Sequence, residues 1–148
     1  MLQLNFEKLP YQAQEIRGEA SSEGKQFFDS GMKQYIIGDY EGAVKKLKKA
    51  ANLAPDNERY WLYLGVTYYL SRQPKLAVEA LTRADTLAPS ILKTKTGWYR
   101  AQAYLLAGDS SHAAPLLDRV KRENRDYASK ADSLLISIRS GAASKSGG

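Results

Sequence analysis

Apolar residues recur at three- and four-residue spacings along most of this chain, interrupted by glycines, prolines and short polar side chains suited to helix ends. Over residues 22–36, Phe27, Phe28, Met32, Tyr35 and Ile36 follow that spacing, and Gly38-Asp39 stops the predicted helix and caps the next, which spans 40–53. Asp56 is placed to cap a third helix over 57–71, and Pro74 suits the first turn of a fourth that ends near Leu87. Gly42 and Gly65 fall inside helices, where glycine costs about 1 kcal/mol relative to alanine. Close approach of a neighbouring helix accounts best for Gly65. Beyond Asn124, a cap, the residues Tyr127, Ala128, Ala131, Leu134, Leu135 and Ile138 form one apolar stripe, with Arg125, Lys130, Asp132 and Arg139 off it. The N-terminus breaks the helical pattern. There Leu2, Leu4 and Phe6 alternate with polar residues and lead to Leu9-Pro10-Tyr11, as in an extended segment with one apolar face.

The helical pattern also repeats. Phe27, Gly31, Gly38, Tyr40, Ala43, Leu47, Ala50, Leu53 and Pro55 are followed by Trp61, Leu64-Gly65, Tyr68, Ala77, Leu81, Ala84, Leu87 and Pro89. A drifted third copy has Ala101, Tyr104, Gly108, Ala113, Leu117 and Val120, with Gly97 where the order wants tryptophan and Trp98 one position late. Order and spacing resemble the tetratricopeptide repeat (TPR), a helix-turn-helix unit of about 34 residues. The resemblance implies an all-α helical solenoid with repeats at about 24–57, 58–91 and 94–124 inside a domain spanning 22–139. An extended segment, 1–21, precedes it. Helix 125–139 caps the last apolar face, and 140–148, made of small residues and Lys145, is expected to be disordered. Because Ala113 comes late, the turn around 90–96 is expected to be longer than the repeat requires.

A second resemblance covers most of the chain: Leu9-Pro10-Tyr11, Arg17-Gly18, Gly31-Met32, Gly38-Asp39-Tyr40, Leu64-Gly65, Trp98-Tyr99, Ala103-Tyr104-Leu105, Gly108-Asp109, Tyr127-Ala128 and Leu134-Leu135. These are similar to the TPR domain of bacterial membrane proteins that carry an anti-sigma-factor-like zinc domain and a membrane span. That likeness implies a bacterial envelope or signalling module. The chain itself holds no cysteine and one histidine, and no apolar run approaches the roughly 20 residues that span a bilayer. The reading is a soluble domain, cytoplasmic or periplasmic, free-standing or part of a membrane-associated parent.

Chemistry is sparse in this sequence. His112 stands beside Ser110 and Ser111 at a helix start, where serines read as caps rather than as nucleophiles with a base. No phosphate-cradling loop or metal-ligand spacing is present, so no catalytic residue, cofactor or metal is assigned. With a net charge of +6, Lys45, Lys46, Lys48 and Lys49 line one side of the second helix and Arg119, Lys121, Arg122 and Arg125 cluster further on. The first set lacks interleaved aromatics, which disfavours nucleic acid and leaves a solvated face.

In TPR arrays the first helix of each pair lines a concave groove. Carried over, that places Phe28, Met32, Tyr35, Ile36, Arg59, Leu62, Val66, Tyr69, Trp98 and Gln102 in the groove. Phe28 and Met32 replace the polar side chains that TPR domains use to grip the C-terminal carboxylates of heat-shock chaperones. An apolar or amphipathic protein segment is the better ligand. The expected function is a non-catalytic protein–protein interaction scaffold. The alternative is a structural or oligomerising module in which the N-terminal segment fills its own groove, or that of a neighbour in a homodimer.

Overall fold

The computed structural model describes residues 3–11 and 22–146, which form seven helices preceded by one extended segment. The helices are α1 Glu23–Ile36, α2 Tyr40–Leu53, α3 Glu58–Leu70, α4 Pro74–Leu87, α5 Ser90–Leu106, α6 Ser110–Glu123 and α7 Arg125–Ser146. They pack as the pairs α1/α2, α3/α4 and α5/α6, each pair against the next, with α7 on α6; α3 also touches α5. The architecture is thus the all-α stack of three helical pairs and a capping helix that the repeat implies.

The repeated small and apolar positions build its core. Ala43, Ala77 and Ala113 are buried at equivalent points of the three pairs, as are Leu47, Leu81 and Leu117. A side chain at Gly65 would place its Cβ 2.5 Å from Leu81 Cγ, so α3 and α4 reach their separation only because that position is glycine. On the last pair, α7 buries Ala131, Leu134 and Leu135, and Tyr127 stacks on Trp98 at 5.2 Å. That capping matters because an uncovered apolar end favours association.

Four boundaries differ from the sequence expectation. Asn57, not Asp56, caps α3, its Oδ1 accepting from Arg59 N and Tyr60 N. Asp109, rather than the adjacent serines, caps α6. Residues 90–96 are helical: the late Ala113 reflects a longer α5, not a longer turn. Finally, α7 runs to Ser146 through much of the segment expected to be disordered. Propagating an existing helix costs far less than nucleating one, and Ala142, Ala143 and Lys145 are good helix formers. Parts of the expected N-terminal segment (1–2, 12–21) and tail (147–148) lie outside the described residues.

Within each pair the first helix ends in one tight turn, with a residue in the left-handed region. Gly38 (φ 85°) and Gly108 (φ 82°) serve the first and third pairs, and Arg72 (φ 63°) serves the second. Backbone bonds are the same in all three: Gly38 N to Tyr35 O, Arg72 N to Tyr69 O and Gly108 N to Leu105 O, at 3.0–3.1 Å. Any side chain there costs about 1–2 kcal/mol relative to glycine. Arg72 therefore occupies a position that the backbone alone would give to glycine.

Candidate functional site: an occupied inner groove

The first helices α1, α3 and α5 present a row of tyrosines to the inner face of the stack, and residues 3–11 lie along it. Four hydroxyls donate to main-chain carbonyls of that segment: Tyr69 to Asn5 at 2.9 Å, Tyr99 to Glu7 at 2.9 Å, Tyr35 to Leu9 at 2.8 Å and Tyr63 to Pro10 at 2.8 Å. Asn5 N donates in turn to Gln102 Oε1 at 3.0 Å, and that oxygen also accepts from Tyr69 at 3.1 Å. Gln102 is fully buried, and its Nε2 has no partner among the described residues. Starting beside α5 and ending against α1 and α3, the segment runs opposite to the order of the repeats.

Side chains complete the fit. Leu9 is buried, Leu4 and Phe6 are half-buried against the core, and Gln3, Glu7, Lys8 and Pro10 are exposed. Phe6 stacks on Tyr69 with centroids 4.9 Å apart, and the Arg72 guanidinium covers it 3.6 Å from its centroid. At the other end Tyr11 meets Phe28 and Tyr63 edge-on, under the Arg59 guanidinium. The rim adds weaker ties: Lys8 Nζ donates to Ile36 O, and Lys130 of α7 pairs with Glu7 at 3.1 Å. Past Gln3 the groove continues as a cavity of about 240 Å³ bounded by Trp98, Lys130 and Leu134.

Burial sets the electrostatics. It pushes the hydroxyls of Tyr35, Tyr69 and Tyr99 well above the usual tyrosine range, keeping them neutral donors. Tyr63 is raised for the same reason, with the Arg59 charge pulling the other way. The Lys130 hydrogen bond, followed by one involving Asn5, holds the Glu7 carboxyl below its ordinary range.

Among the residues assigned to the groove by sequence, Tyr35, Tyr69 and Gln102 bond the segment, while Phe28 and Arg59 pack on Tyr11. Met32, Leu62 and Val66 are buried in the core cluster, and Trp98 lies under Tyr127 at the far end. Ile36 offers only its carbonyl and leaves its side chain exposed. Sequence reasoning missed Tyr63, Tyr99 and Arg72. Helical spacing held the signal for two of them: Tyr63 lies one turn from both Arg59 and Val66, and Tyr99 one turn before Gln102. The open apolar groove expected from the pattern is filled by the chain itself.

Other candidates resolve into local structure. His112 Nδ1 meets Asp109 Oδ2 at 2.6 Å and its ring stacks on Tyr104, while the Ser111 hydroxyl bonds to Asp109 rather than to the imidazole. Lys46 bonds Ser30 and Lys49 lies over Phe27, and Arg119 and Lys121 pair with Glu123 and Asp132. No helix among the described residues is long and apolar enough to cross a membrane, and none of their His, Asp and Glu clusters could hold a metal ion.

Comparison with known proteins places this geometry. Residues 33–71 match the TPR repeat model. The Yersinia enterocolitica type III secretion chaperone SycD, solved with a peptide of the translocator YopD, is similar at 21% identity and a TM-score of 0.71, over 84% of this chain and 99% of that one. Pseudomonas aeruginosa PcrH, solved with the chaperone binding region of PopD, aligns at 19% identity and a TM-score of 0.72, over 86% and 98%. The N-terminal domain of stress-induced protein-1 from C. elegans aligns at 23% and 0.63, over 75% and 93%. No curated protein matches the chain, and the second resemblance, to membrane proteins with an anti-sigma-factor-like domain, finds no support in these comparisons. Residues 33–71 are thus of the tetratricopeptide-repeat type, and the fold as a whole is similar to that of these solved helical-repeat structures.

Proposed function

We propose that this TPR fold is a non-catalytic scaffold whose inner groove binds an extended segment of a partner protein, and that residues 3–11 hold the place of that segment in the free chain. One observation carries the reading: hydroxyls from three helices grip the carbonyls of Asn5, Glu7 and Leu9, every second residue of a strand-like stretch. Contacts to the main chain recognise extension rather than sequence, and apolar anchors between them add selectivity. SycD, solved with a peptide of the translocator YopD, and PcrH, solved with the chaperone binding region of PopD, share the fold, which supports a peptide ligand here.

The energetics favour exchange. Ordering residues 3–11 costs on the order of 10 kcal/mol. Against this, each hydrogen bond returns about 1 kcal/mol, burial of Leu9 about 2 kcal/mol and half-burial of Phe6 about 1 kcal/mol. The opposing contributions nearly cancel, so a partner segment with better anchors displaces the resident one.

The test uses the full chain carrying Leu9→Asp, which weakens the resident segment, and a labelled peptide with the sequence of residues 3–11. Saturable binding, lost on adding Tyr69→Asp, is expected by fluorescence anisotropy. Absence of binding to a folded Leu9→Asp chain contradicts the reading. A second reading is structural: the same segment, entering a neighbour's groove, makes a homodimer with identical contacts. Light scattering separates the two, a mass of 16.5 kDa independent of concentration favouring the exchangeable monomer.

A further inference from the structure

Phe6 is enclosed on both faces, by the Tyr69 ring at 4.9 Å and the Arg72 guanidinium at 3.6 Å. The residue that closes this sandwich is also the one with the unfavourable backbone. Gly38 and Gly108 fill the matching turns of the other two pairs with the same hydrogen bonds, so nothing in the turn itself calls for arginine. A strained residue held at a ligand contact points to function rather than to folding. Arg72 is further braced by its own Nη1, which donates to Leu70 O at 2.7 Å and fixes the guanidinium plane over the ring.

We infer that Tyr69 and Arg72 form an aromatic-selective slot, which makes Arg72 a specificity determinant of the inner groove. The slot takes Phe6 in the free chain and, resting on the binding function proposed above, an aromatic side chain of the partner segment. The preference follows from the quadrupole of an aromatic ring, whose negative face attracts the guanidinium; an aliphatic side chain of equal size offers no such face. The partner segment is accordingly extended and apolar, with a phenylalanine, tyrosine or tryptophan three residues before a buried aliphatic anchor, as Phe6 precedes Leu9.

The test compares three labelled peptides of residues 3–11, bearing phenylalanine, leucine or cyclohexylalanine at position 6, on the full chain carrying Phe6→Ala. Phenylalanine is expected to bind at least tenfold more tightly than cyclohexylalanine, although the latter is the more hydrophobic. Adding Arg72→Gly is expected to bring that ratio below threefold while leaving the melting temperature unchanged or higher, because glycine is relaxed in the left-handed turn. Equal affinities for the two peptides, or a ratio that survives Arg72→Gly, overturn the slot and leave the binding reading standing. If no peptide binds, the exchange reading falls and the slot is decided within the chain. A lysine-specific protease then reads exposure of the Lys8–Leu9 bond: Phe6→Leu should be cut about tenfold faster than Phe6→Tyr, and Arg72→Gly should erase the difference. Equal rates with Arg72 in place would refute the slot.

Discussion

The outer and inner faces of the helical stack use their polar groups in opposite ways. On the outside, partners lie within one helix or on the next: Arg119 pairs with Glu123 one turn on, Asp109 caps α6 through His112 N, and Lys46 of α2 bonds Ser30 of α1. On the inside, Tyr35, Tyr63, Tyr69, Tyr99 and Gln102 reach partners 26 to 97 residues away, all within the segment 3–11. Local pairs steady individual helices by a few tenths of a kcal/mol. Apart from Tyr69 to Gln102, these inner-face bonds exist only while a chain lies in the groove, so removing that chain should change the inside and leave the outside alone.

The largest effect marks the boundary of the comparison. Leu81→Ala removes a buried side chain shared by α3 and α4 and is expected to lower global stability by about 2–5 kcal/mol in urea titration. Leu9→Asp should release the segment, seen as rapid cleavage after Lys8, while the repeats melt much closer to the wild-type temperature. If both variants melt equally early, the segment is part of the core and the distinction between faces collapses.

A smaller change sharpens the contrast. Tyr99→Phe deletes one donor to the Glu7 carbonyl and should weaken segment closure by about 1 kcal/mol, read from the same cleavage rate. Alkaline pH acts on the whole row. Because burial raises these tyrosines above the ordinary value of 10.0, their contribution is intact below that pH and is lost as pH rises towards their folded values. Release of the segment should therefore begin above about pH 10, with a shallower rise in the Tyr99→Phe chain. Glu7→Gln removes the charge from an exposed pair with Lys130 and should leave the cleavage rate unchanged at physiological salt.

The fold was legible because it depends on periodicity. Ala43, Ala77 and Ala113, and Gly65 beneath Leu81, recur where a helix must approach another closely, and a single sequence displays that. The apolar alternation Leu2, Leu4, Phe6, leading to Leu9-Pro10-Tyr11, was equally visible, but its destination was not: own groove and neighbouring groove demand the same pattern. The tyrosine row was harder still. Tyr63 and Tyr99 look like ordinary aromatic core residues, and only the carbonyls opposite them reveal their hydroxyls as the working groups. Arg72 was hidden for a different reason. Its meaning lies in a positive φ, which composition does not show unless the residue is glycine.

The central claim, that the inner groove holds an extended segment of the same chain, is tested most directly by nuclear Overhauser contacts in a full chain with labelled aromatic rings. Contacts from the Phe6 ring to Tyr69 and from Leu9 to Tyr35 are predicted, and they should persist when labelled chain is diluted into an excess of unlabelled chain. Phe6 resonances at random-coil positions with no contact to Tyr69 would contradict the account.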